Sequence, residues 1–600
     1  TMPKEFRSLI SLEEALSIVF DHLPRARTAS VPLSRARGCI LAGRIVSSID
    51  VPGFSRAAMD GFAVLARDTL EAREDRPVRL RLAGRVPMGV QPELKVAGGE
   101  AAEVSTGSMM PSGADAVVMI EYSQAEEEAV LVRRPVYAGE NIQAAGSDIS
   151  FGETALYPGT AIAARELGVL AALGRTEVPV STLSVAVAST GNELVAPGQP
   201  LPPGRIYDIN AYTIASAVQD CGAAVQTFGI LPDEKEAMAA ALQKMAESSD
   251  MVIVSGSTSA GAGDMVYRVL EEAGELIFHG VNLKPGKPTI FGLVAGKPFL
   301  GLPGYPTSAL SVFSLLGAPA IRAALGAQGR DRKAAGKLCC PLRLEGRRQM
   351  LAVALSGSLV YPVDKGSGSI TTLAGADGII DIPAGVEYLE RGTAVQVELF
   401  SGASPAELVI AGENTKLLED LAGEAGEIRL INCGSLRGRM LLEDGVADIA
   451  AVVGGSAPAP EGLAVLAGLD LELGLVYRGG DAPEDLSACR LIGWQRDSAL
   501  KVLWNKALLD LGLPRPSFVR LARSHSAVAA AVASGRADAG FSERQAAGEA
   551  GLGFRPLIHE KMLLLGRAGE DRPDVRSLLS ALSRLSAQSS AQASPGKAGA

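Results

Sequence analysis

Cysteine and clustered basic charge are scarce in this sequence, and each scarcity excludes a class of protein. Six cysteines occur among 600 residues without a CxxC pair, so neither a zinc site nor a disulfide framework is predicted, and a reducing compartment fits best. The chain has no block of Lys and Arg, and its formal net charge is −10. This balance argues against a broad electropositive surface for nucleic acid, although it is compatible with a local basic pocket.

Long uninterrupted apolar segments are also missing. The N-terminal run TMPKEFRSLISLEEALSIVFDHL alternates apolar and charged residues and lacks the apolar core of a signal peptide, so we expect a cytoplasmic protein with no membrane partner. The longest apolar stretch, residues 310–327, contains Arg322 and falls short of a clean membrane span of about 20 residues. It predicts a buried helix.

What is present indicates a multidomain α/β protein. Hydrophobic residues make up 47% and charged residues 21%, as in soluble globular proteins, and a chain of 600 residues predicts several domains. Ser11 with Glu14 has capping-box spacing, and predicts a helix over residues 11–23. The predicted domains are 1–50 with 136–178 (helical and linker), 51–135 (β-rich insert), 179–330 (α/β with a parallel sheet), 331–402 (small and β-barrel-like), 406–568 (second α/β) and 569–600 (disordered tail).

The strongest local motif is MVIVSGSTSAGAGD, residues 251–264, an apolar strand that enters a glycine-rich loop before a helix. Its glycines let backbone N–H groups approach an anion, and the helix N-terminus adds its dipole, which favours phosphate binding. Asp264 is suited to Mg²⁺, which prefers one or two carboxylates plus ligand phosphates. An ordinary βα turn with Asp264 as a helix cap is equally compatible with the motif. The loop residues assigned to the ligand are Gly256, Ser257, Ser259, Gly261 and Gly263.

Further polar residues follow neighbouring strands of the same unit. Lys284 and Lys287 flank a Pro-Gly turn in LKPGKPTIFG and suit an oxyanion, although such a turn is often simply solvated. After the strand that ends at Pro303, Pro306 begins a helix with Ser308 in its first turn. Loops after parallel strands converge at the carboxyl edge of the sheet, which predicts one shared crevice.

Two carboxylates follow earlier strands of this unit. Glu193 lies in VAVASTGNELV, and Asp233 opens the helix DEKEAMAAALQKM. Both suit a metal ion or acid/base chemistry, and both are equally compatible with helix capping.

Residues 1 to about 402 resemble the molybdopterin molybdenumtransferase family, which includes the E domain of gephyrin. The motifs that carry the resemblance, in the family's order, are VPGFSRAAMDGFAV, GGEAAEVSTGSMMPSGADAVVMIEY, AGENIQAAGSDI, VAVASTGNEL, DMVIVSGSTSAGAGD, LKPGKPTIFG and GLPGYPTSAL. The resemblance implies insertion of molybdate into adenylylated molybdopterin with release of AMP and help from Mg²⁺. It also implies a homodimer whose insert domain faces the α/β domain of the other subunit.

The resemblance also implies roles for individual residues. Asp60 and Thr106 match functional positions of the insert. Glu193, Asp233 and Asp264 match carboxylates of the cleft, with Glu193 and Asp264 as metal ligands, whereas Lys284, Lys287, Pro303, Pro306 and Ser308 match its anion-binding side. Arg347 and Ser369 look like further molybdate contacts. This chemistry needs charge neutralisation and positioning rather than a protein nucleophile, in keeping with the lack of a Cys–His pair.

The chain departs from the family pattern at three positions. Ser257 replaces the second of two glycines, Tyr305 replaces an Asn, and Asn192 replaces an Asp. These departures motivate an alternative hypothesis, in which the protein is an oxyanion-binding or cofactor-sensing scaffold with weakened catalysis. Pterin adenylylation is a third hypothesis, against which the insert with Asp60 and Thr106 argues. Tungstate is as compatible with the anion site as molybdate.

Residues 406–568 resemble the two-lobed periplasmic-binding-protein-like domain that is fused to some of these enzymes. The matching segments are INCGSLRGRMLLEDGVADIAAVVGG and RSHSAVAAAVASGRADAGFSERQAA, which place Ser435 and His525 where such a cleft is lined. Both residues are also compatible with structural roles, His525 as a helix cap. Asp497 stands in GWQRDSALKVLWN, where relatives have an anion loop, and would repel an oxyanion. The implied partners are a molybdopterin adenylyltransferase and enzymes that accept the finished cofactor.

Overall fold

The computed structural model describes residues 9–256, 265–327, 333–363, 370–400, 405–425, 428–454, 460–512 and 517–592. The chain falls into two compact units, Thr1–Val281 with Gly286–Arg330, and Asn282–Pro285 with Asp331–Ala600. Each is described by itself.

The first part of the chain contains the predicted N-terminal helix and the β-rich insert. As predicted, Ser11 caps the helix by accepting a hydrogen bond from Glu14 N. The insert strands form a sheet in the order β8-β5-β7-β6-β10-β9. The elements are α1 Leu12–Asp21, β1 Arg27–Pro32, β2 Ile40–Leu41, β3 Ile45–Val46, β4 Arg56–Ala57, β5 Gly61–Val64, β6 Val78–Val86, β7 Glu100–Val104, β8 Ala116–Met119, β9 Ser123–Ala125, β10 Ala129–Val132, β11 Ile142–Gln143, β12 Thr154–Leu156, α2 Ala164–Ala172 and β13 Glu177–Thr182.

The α/β domain is built on a sheet with strand order β17-β14-β18-β22-β21-β19. Its strand β18, MVIVS, is buried along its whole length because helices cover both faces of a parallel sheet. The elements are β14 Ser184–Thr190, β15 Leu194–Val195, β16 Ile206–Tyr207, α3 Asn210–Asp220, β17 Ala224–Leu231, α4 Lys235–Ser248, β18 Met251–Ser255, α5 Val266–Ala273, β19 Glu275–His279, β21 Ile290–Val294, β22 Lys297–Leu302, α6 Pro306–Val312 and α7 Ala318–Leu325. Strand β20, Leu283–Lys284, lies between β19 and β21 in sequence but belongs to the sheet of the next domain.

One edge of this sheet differs from the all-parallel prediction. Strands β14, β17, β18 and β22 are parallel, whereas β21 pairs antiparallel with β22 and β19 with β21. Only Ala295 and Gly296 join β21 to β22, both with positive φ, and a link of two residues permits a hairpin but not a parallel crossover.

The apolar stretch after β22 forms helix, as predicted. Within the part of the chain that the structure describes, Pro306–Leu325 is the one helical segment with the length and composition of a membrane span. Of its most apolar window, 56% is buried inside the protein.

The next domain is a barrel. Strand β25 pairs with both β26 and β27, which closes the order β25-β26-β23-β29-β27 into a ring, and β20 joins the sheet beside β25. The core includes Leu338, Val353, Val360 and Val397. The elements are β23 Lys333–Leu338, β24 Leu342–Arg343, β25 Arg348–Ser356, β26 Leu359–Pro362, α8 Ile370–Ala374, β27 Gly378–Ile382, β28 Tyr388–Leu389 and β29 Ala394–Leu399.

The C-terminal domain has two lobes on one sheet, with strand order β31-β30-β32-β37-β33-β36-β34-β35. The first lobe holds β30 to β32 with α9 and α10, the second lobe holds β34 to β36 with α11 to α13, and the long strands β33 and β37 run antiparallel through both. The elements are β30 Leu408–Gly412, α9 Lys416–Ala425, β31 Ile428–Asn432, α10 Ser435–Glu443, β32 Ile449–Val453, β33 Leu463–Tyr477, β34 Leu491–Trp494, α11 Ala499–Asp510, β35 Phe518–Ala522, α12 His525–Ala533, β36 Ala539–Glu543, α13 Arg544–Glu549, β37 Gly553–Arg567 and α14 Pro573–Gln592. The predicted multidomain α/β fold class is confirmed.

The prediction of a disordered tail from residue 569 is wrong for Pro573–Gln592. This segment is helix α14, and Val575, Leu578 and Leu582 are buried in the core of the C-terminal domain. Their spacing places the three apolar side chains on one face of a helix, which can bury them only against a partner. The small polar residues that follow conceal this short apolar pattern in the sequence.

A buried ion pair joins the barrel domain to the first lobe. Arg429 on β31 donates from Nη1 to Asp377 Oδ2 at 3.0 Å and from Nη2 to Oδ1 at 2.8 Å. Its Nη1 also donates to the Tyr361 hydroxyl at 3.1 Å. Asp377 is only 3% exposed, and an apolar cluster containing Cys339, Tyr361 and Val446 lies beside it. The two domains therefore share one buried junction.

Candidate functional site: the carboxyl edge of the α/β sheet

Asp233 ties together two loops at the carboxyl edge of the α/β sheet. Thr190, the last residue of β14, donates from Oγ1 to Asp233 Oδ1 at 2.5 Å. The backbone N–H of Asn192 donates to Asp233 Oδ2 at 3.1 Å. Asp233 thus positions the loop that carries Glu193. Because the Asn192 contact uses the main chain, the replacement of Asp by Asn at this position leaves it intact.

The Glu193 side chain lies over Gly191, two residues earlier in this loop. Gly191 has φ 150°, and a Cβ built there would lie 2.7 Å from both carboxylate oxygens of Glu193. Gly191 is buried, whereas Glu193 is exposed. The carboxylate is therefore presented at the surface of the strand-edge loops, where a metal ion or a phosphate-bearing ligand has access to it.

Gly256 brings the loop after β18 against its neighbours. Its φ is 99°, and an added Cβ would lie 2.2 Å from Thr190 O, a distance that no side chain tolerates. Its N–H donates to Leu302 O at 3.0 Å. A Cβ built at Gly304 would lie 3.7 Å from Gly256 Cα, so the loops after β18 and β22 are also adjacent. The predicted convergence of these loops is observed.

Asn210 was not identified from the sequence, yet it connects these loops. Its Nδ2 donates to Ser255 Oγ at 2.7 Å and to Gly304 O at 2.8 Å, and Ser255 Oγ donates to Pro303 O at 3.0 Å. Asn210 is 7% exposed, and its Oδ1 has no hydrogen-bond partner among the described residues. The polar sequence DIN before an otherwise apolar helix was the available indication.

The start of helix α6 is partly as predicted. Pro306 is its first residue, but Ser308 is buried, as are Thr307 and Pro303. Tyr305 precedes the helix without a side-chain capping bond and is 63% exposed. The aromatic ring, rather than the serine hydroxyl, is therefore the exposed group at this position.

Asp60 and Thr106 form a pair on the insert. Asp60 Oδ1 accepts from Thr106 N at 2.6 Å and from Thr106 Oγ1 at 3.1 Å. Both residues are exposed; Asp60 directly precedes β5, and Thr106 follows β7. The motifs AAMDGFA and VSTGS, distant in sequence, thus build one surface feature.

Lys284 belongs to the barrel domain, not to the α/β sheet. Strand β20 pairs with the start of β25, and Lys284 Nζ forms an ion pair with Glu345 Oε1 at 2.6 Å. The hydrogen bond and charge of Lys284, and then the charge of Arg347, lower the pKa of the Glu345 carboxyl. Lys284 and Arg347 therefore act on one carboxylate. Lys287 lies in the other compact unit, where its carbonyl accepts from Val281 N.

Several predicted ligand-binding residues lie outside the described residues. They are Ser257, Ser259, Gly261, Gly263, Asp264 and Ser369.

Ser435 and His525 of the C-terminal domain are both buried. Ser435 Oγ donates to Glu413 Oε1 at 3.1 Å. His525 Nδ1 accepts from Glu543 N at 3.1 Å, and burial lowers the pKa of His525 to about 3. His525 is not a helix cap, because Ser524 accepts from Ala527 N in that role.

Comparison with known families agrees with this architecture. Family models match residues 10–174 (MoeA N-terminal region, domains I and II), 186–323 (probable molybdopterin binding domain), 336–400 (MoeA C-terminal region, domain IV) and 418–583 (PBP superfamily domain). The fold and its strand-edge loops thus define a MoeA-type molybdenum cofactor biosynthesis transferase that carries an additional binding-protein-like domain.

Individual relatives give the same result. Molybdopterin molybdenumtransferase 2 of Mycobacterium tuberculosis is 35% identical over 403 residues, which are 64% of this chain and 98% of the relative. The Bacillus subtilis molybdopterin molybdenumtransferase is 32% identical, covering 66% of this chain and 95% of its own. A crystal structure of the molybdopterin biosynthesis MoeA protein from Pyrococcus horikosii matches 66% of this chain and all of that chain, with 41% identity and a TM-score of 0.59. The chain belongs to the molybdopterin molybdenumtransferase family.

Proposed function

We propose that this protein inserts molybdenum from molybdate into adenylylated molybdopterin and releases AMP, which forms the molybdenum cofactor. The observation that carries the proposal is the convergence of the loops after β14, β17, β18 and β22, fixed by Asp233, Gly256 and Asn210. Relatives that match this chain over 95% to 98% of their own length are named molybdopterin molybdenumtransferases, which supports the proposal.

The strand-edge loops supply positioning rather than a nucleophile. Gly256, which lacks a side chain, lets the loop after β18 pack directly against Thr190 O, and Asp233 holds the Glu193 loop in place. On the barrel domain, Lys284 and Arg347 supply positive charge for an oxyanion. The same groups fit tungstate, and the ion pair with Glu345 must be exchanged before Lys284 can hold the anion.

We propose that Mg²⁺ binds here through Glu193 and Asp264, of which Asp264 lies outside the described residues. Among the described residues, no group of three or more His, Cys, Asp and Glu side chains is placed to hold a metal. Mg²⁺ needs only one or two carboxylates, because ligand phosphates and waters complete its shell. Exposed Glu193, together with Asp264, would hold it. When bound, the ion supplies charge neutralisation at the phosphates.

The first test compares Asp233→Asn with Glu234→Gln in the full chain. Asp233→Asn weakens the anchor of the Glu193 loop, and we expect insertion activity to fall by about 10- to 100-fold, because small misplacements of positioning groups are costly. The neighbouring exposed Glu234 makes a matched control that should keep activity. Formation of molybdenum cofactor from adenylylated molybdopterin, molybdate and Mg²⁺ is measured. Equal activity of both variants would contradict the assigned role of Asp233.

The same assay decides between enzyme and scaffold. Tyr305, Ser257 and Asn192 motivate the alternative of an oxyanion-binding or sensing protein with weakened catalysis. Binding of molybdate by the wild-type chain without any cofactor formation would favour that alternative. Restoring the family residue with Tyr305→Asn should then raise activity, whereas an already active wild-type chain excludes the scaffold.

The proposal also covers the oligomeric state of the protein, its compartment and its partner enzymes. We infer a homodimer, in which the Asp60–Thr106 pair of one subunit serves the strand-edge loops of the other, in the cytoplasm. A molybdopterin adenylyltransferase would supply the substrate, and cofactor-accepting enzymes would receive the product. Light scattering of the full chain measures the dimer, and mixing inactive Asp60→Ala with inactive Asp233→Ala subunits should restore part of the activity.

A further inference from the structure

The cleft of the C-terminal domain contains a buried carboxylate of the chain itself. Glu413 follows strand β30 and is 6% exposed. Its Oε1 accepts hydrogen bonds from Ser435 N at 3.1 Å, Ser435 Oγ at 3.1 Å and Ala499 N at 2.6 Å. Its Oε2 accepts from Ser498 Oγ at 2.8 Å. Four donors therefore converge on one anionic group.

These donors belong to the first turns of two helices, one in each lobe. Ser435 is the first residue of α10 in the first lobe, and Ala499 is the first residue of α11 in the second lobe, with Ser498 as its N-cap. Helix N-termini bind anions because their N–H groups are unpaired and the helix dipole is positive there. The Glu413 carboxylate thus occupies the position that the two helices offer to a free oxyanion.

The two lobes touch at this point. Gly434, with φ 82°, lies so close to the second lobe that an added Cβ would be 2.0 Å from Asp497 O. The loop that leads into α10 and the loop that leads into α11 are therefore in direct contact beside the carboxylate.

Other polar contacts also join the two lobes of the C-terminal domain. The backbone N–H of Lys416 donates to Glu543 Oε1 at 2.7 Å, and Ser526 Oγ donates to Glu419 Oε2 at 2.5 Å. Lys416 Nζ lies 3.3 Å from Glu549 Oε2. Each contact joins helix α9 of the first lobe to the second lobe, so closure does not depend on Glu413 alone.

We propose that Glu413 is an internal ligand of the C-terminal domain. Its carboxylate closes the two lobes on each other, and the wild-type cleft takes up no free oxyanion. Removal of this carboxylate uncovers a site for a tetrahedral oxyanion such as molybdate or sulfate, held by Ser435, Ser498 and Ala499. The proposal does not depend on the activity of residues 1–402.

Tryptophan fluorescence tests the proposal in the full chain. The sequence has two tryptophans, Trp494 and Trp504, and both are buried in the second lobe. Trp494 lies in the strand just before Ser498, and its ring centroid is 4.9 Å from that of His525. The emission therefore reports on the C-terminal domain, even when molybdate also binds elsewhere in the chain.

The experiment titrates wild-type protein and Glu413→Ala with molybdate, sulfate and phosphate. We expect a saturable change in emission for Glu413→Ala, with a half-saturation concentration at least about tenfold below any response of the wild type, because charge-assisted hydrogen bonds form anew. Glu461→Ala, which removes an exposed carboxylate of the same domain, is the matched control and should behave as wild type. Adding Ser498→Ala to Glu413→Ala should weaken binding again.

Thermal unfolding keeps the test decisive if Glu413→Ala is unstable. Sulfate should raise the melting temperature of Glu413→Ala more than that of the wild type, because specific binding to the folded state adds to the general stabilising effect of this salt. The proposal is overturned if wild-type emission responds to oxyanions as strongly as the variant does. It is equally overturned if sulfate leaves the emission of Glu413→Ala unchanged and raises its melting temperature no more than that of the wild type.

Discussion

The α/β domain and the C-terminal domain differ in how they fix the loops that follow their strands. In both, polar segments that follow buried strands meet at one place. In the α/β domain these segments meet through main-chain packing, with Gly256 against Thr190 O, whereas in the C-terminal domain they meet on a side chain, the Glu413 carboxylate. The difference teaches that converging strand-end loops are fixed either by close main-chain packing or by one side chain that accepts their hydrogen bonds.

The largest expected effect tests the close packing of Gly256 against Thr190 O. Gly256→Ala places a Cβ 2.2 Å from Thr190 O, in a backbone conformation that disfavours side chains. We expect cofactor formation to fall by about 100-fold or more, because the loops must move apart. Gly296→Ala, also at positive φ but with nothing within 4 Å of the added Cβ among the described residues, should cost about 1 kcal/mol and keep activity. Full activity of Gly256→Ala would show that the transfer does not need the close packing of the loops at Gly256.

The second prediction makes the equivalent change, glycine to alanine, in the cleft of the C-terminal domain. Gly434→Ala places a Cβ 2.0 Å from Asp497 O and forces the lobes apart. We expect a loss of about 2 to 3 kcal/mol in the stability of the C-terminal domain, measured by tryptophan emission in denaturant, with cofactor formation little changed. Gly551→Ala is the control in the same domain, since its Cβ would meet no described atom within 4 Å. Loss of activity in Gly434→Ala would show that the cleft serves the transfer reaction.

The smallest effect concerns the pH dependence of lobe closure. Burial raises the pKa of Glu543 from 4.5 to about 8, and the groups that face it are Lys416, Glu419, Glu549 and His525. Between these values the folded state binds one more proton than the unfolded state, so stability falls as pH rises from about 5 to 8 and then levels. His525, with its pKa lowered to about 3, stays neutral throughout this window.

Glu543→Gln removes this titration and should flatten the stability profile. A tenfold change in proton affinity corresponds to about 1.4 kcal/mol, so we expect the variant to gain on the order of 1 to 3 kcal/mol relative to wild type between pH 6 and 8. Denaturant unfolding monitored by tryptophan emission at both pH values measures it. Parallel profiles for the two proteins would show that Glu543 is already ionised at neutral pH.

The sequence predicts features whose physical cause is local. Ser11 and Glu14 cap a helix, Pro306 starts one, and apolar runs followed by glycine build β14 and β18. Features that depend on distant partners are harder to predict. Glu413 accepts from Ala499, 86 positions away, and its sequence context is that of any carboxylate after a strand. The hydrogen bond from Ser435 to Glu413 is invisible in the sequence for the same reason, and the assignment of Ser435 to a ligand stays a prediction.

The junction at Asp377 determines what happens when the chain is cut. Removal of everything after residue 402 would take away the arginine partner of Asp377, and would expose apolar surface at Tyr361 and Cys339 to water. The transferase part of this chain is therefore expected to unfold at a lower temperature on its own, so the appended domain acts as a clamp on the barrel even when its cleft holds no foreign molecule.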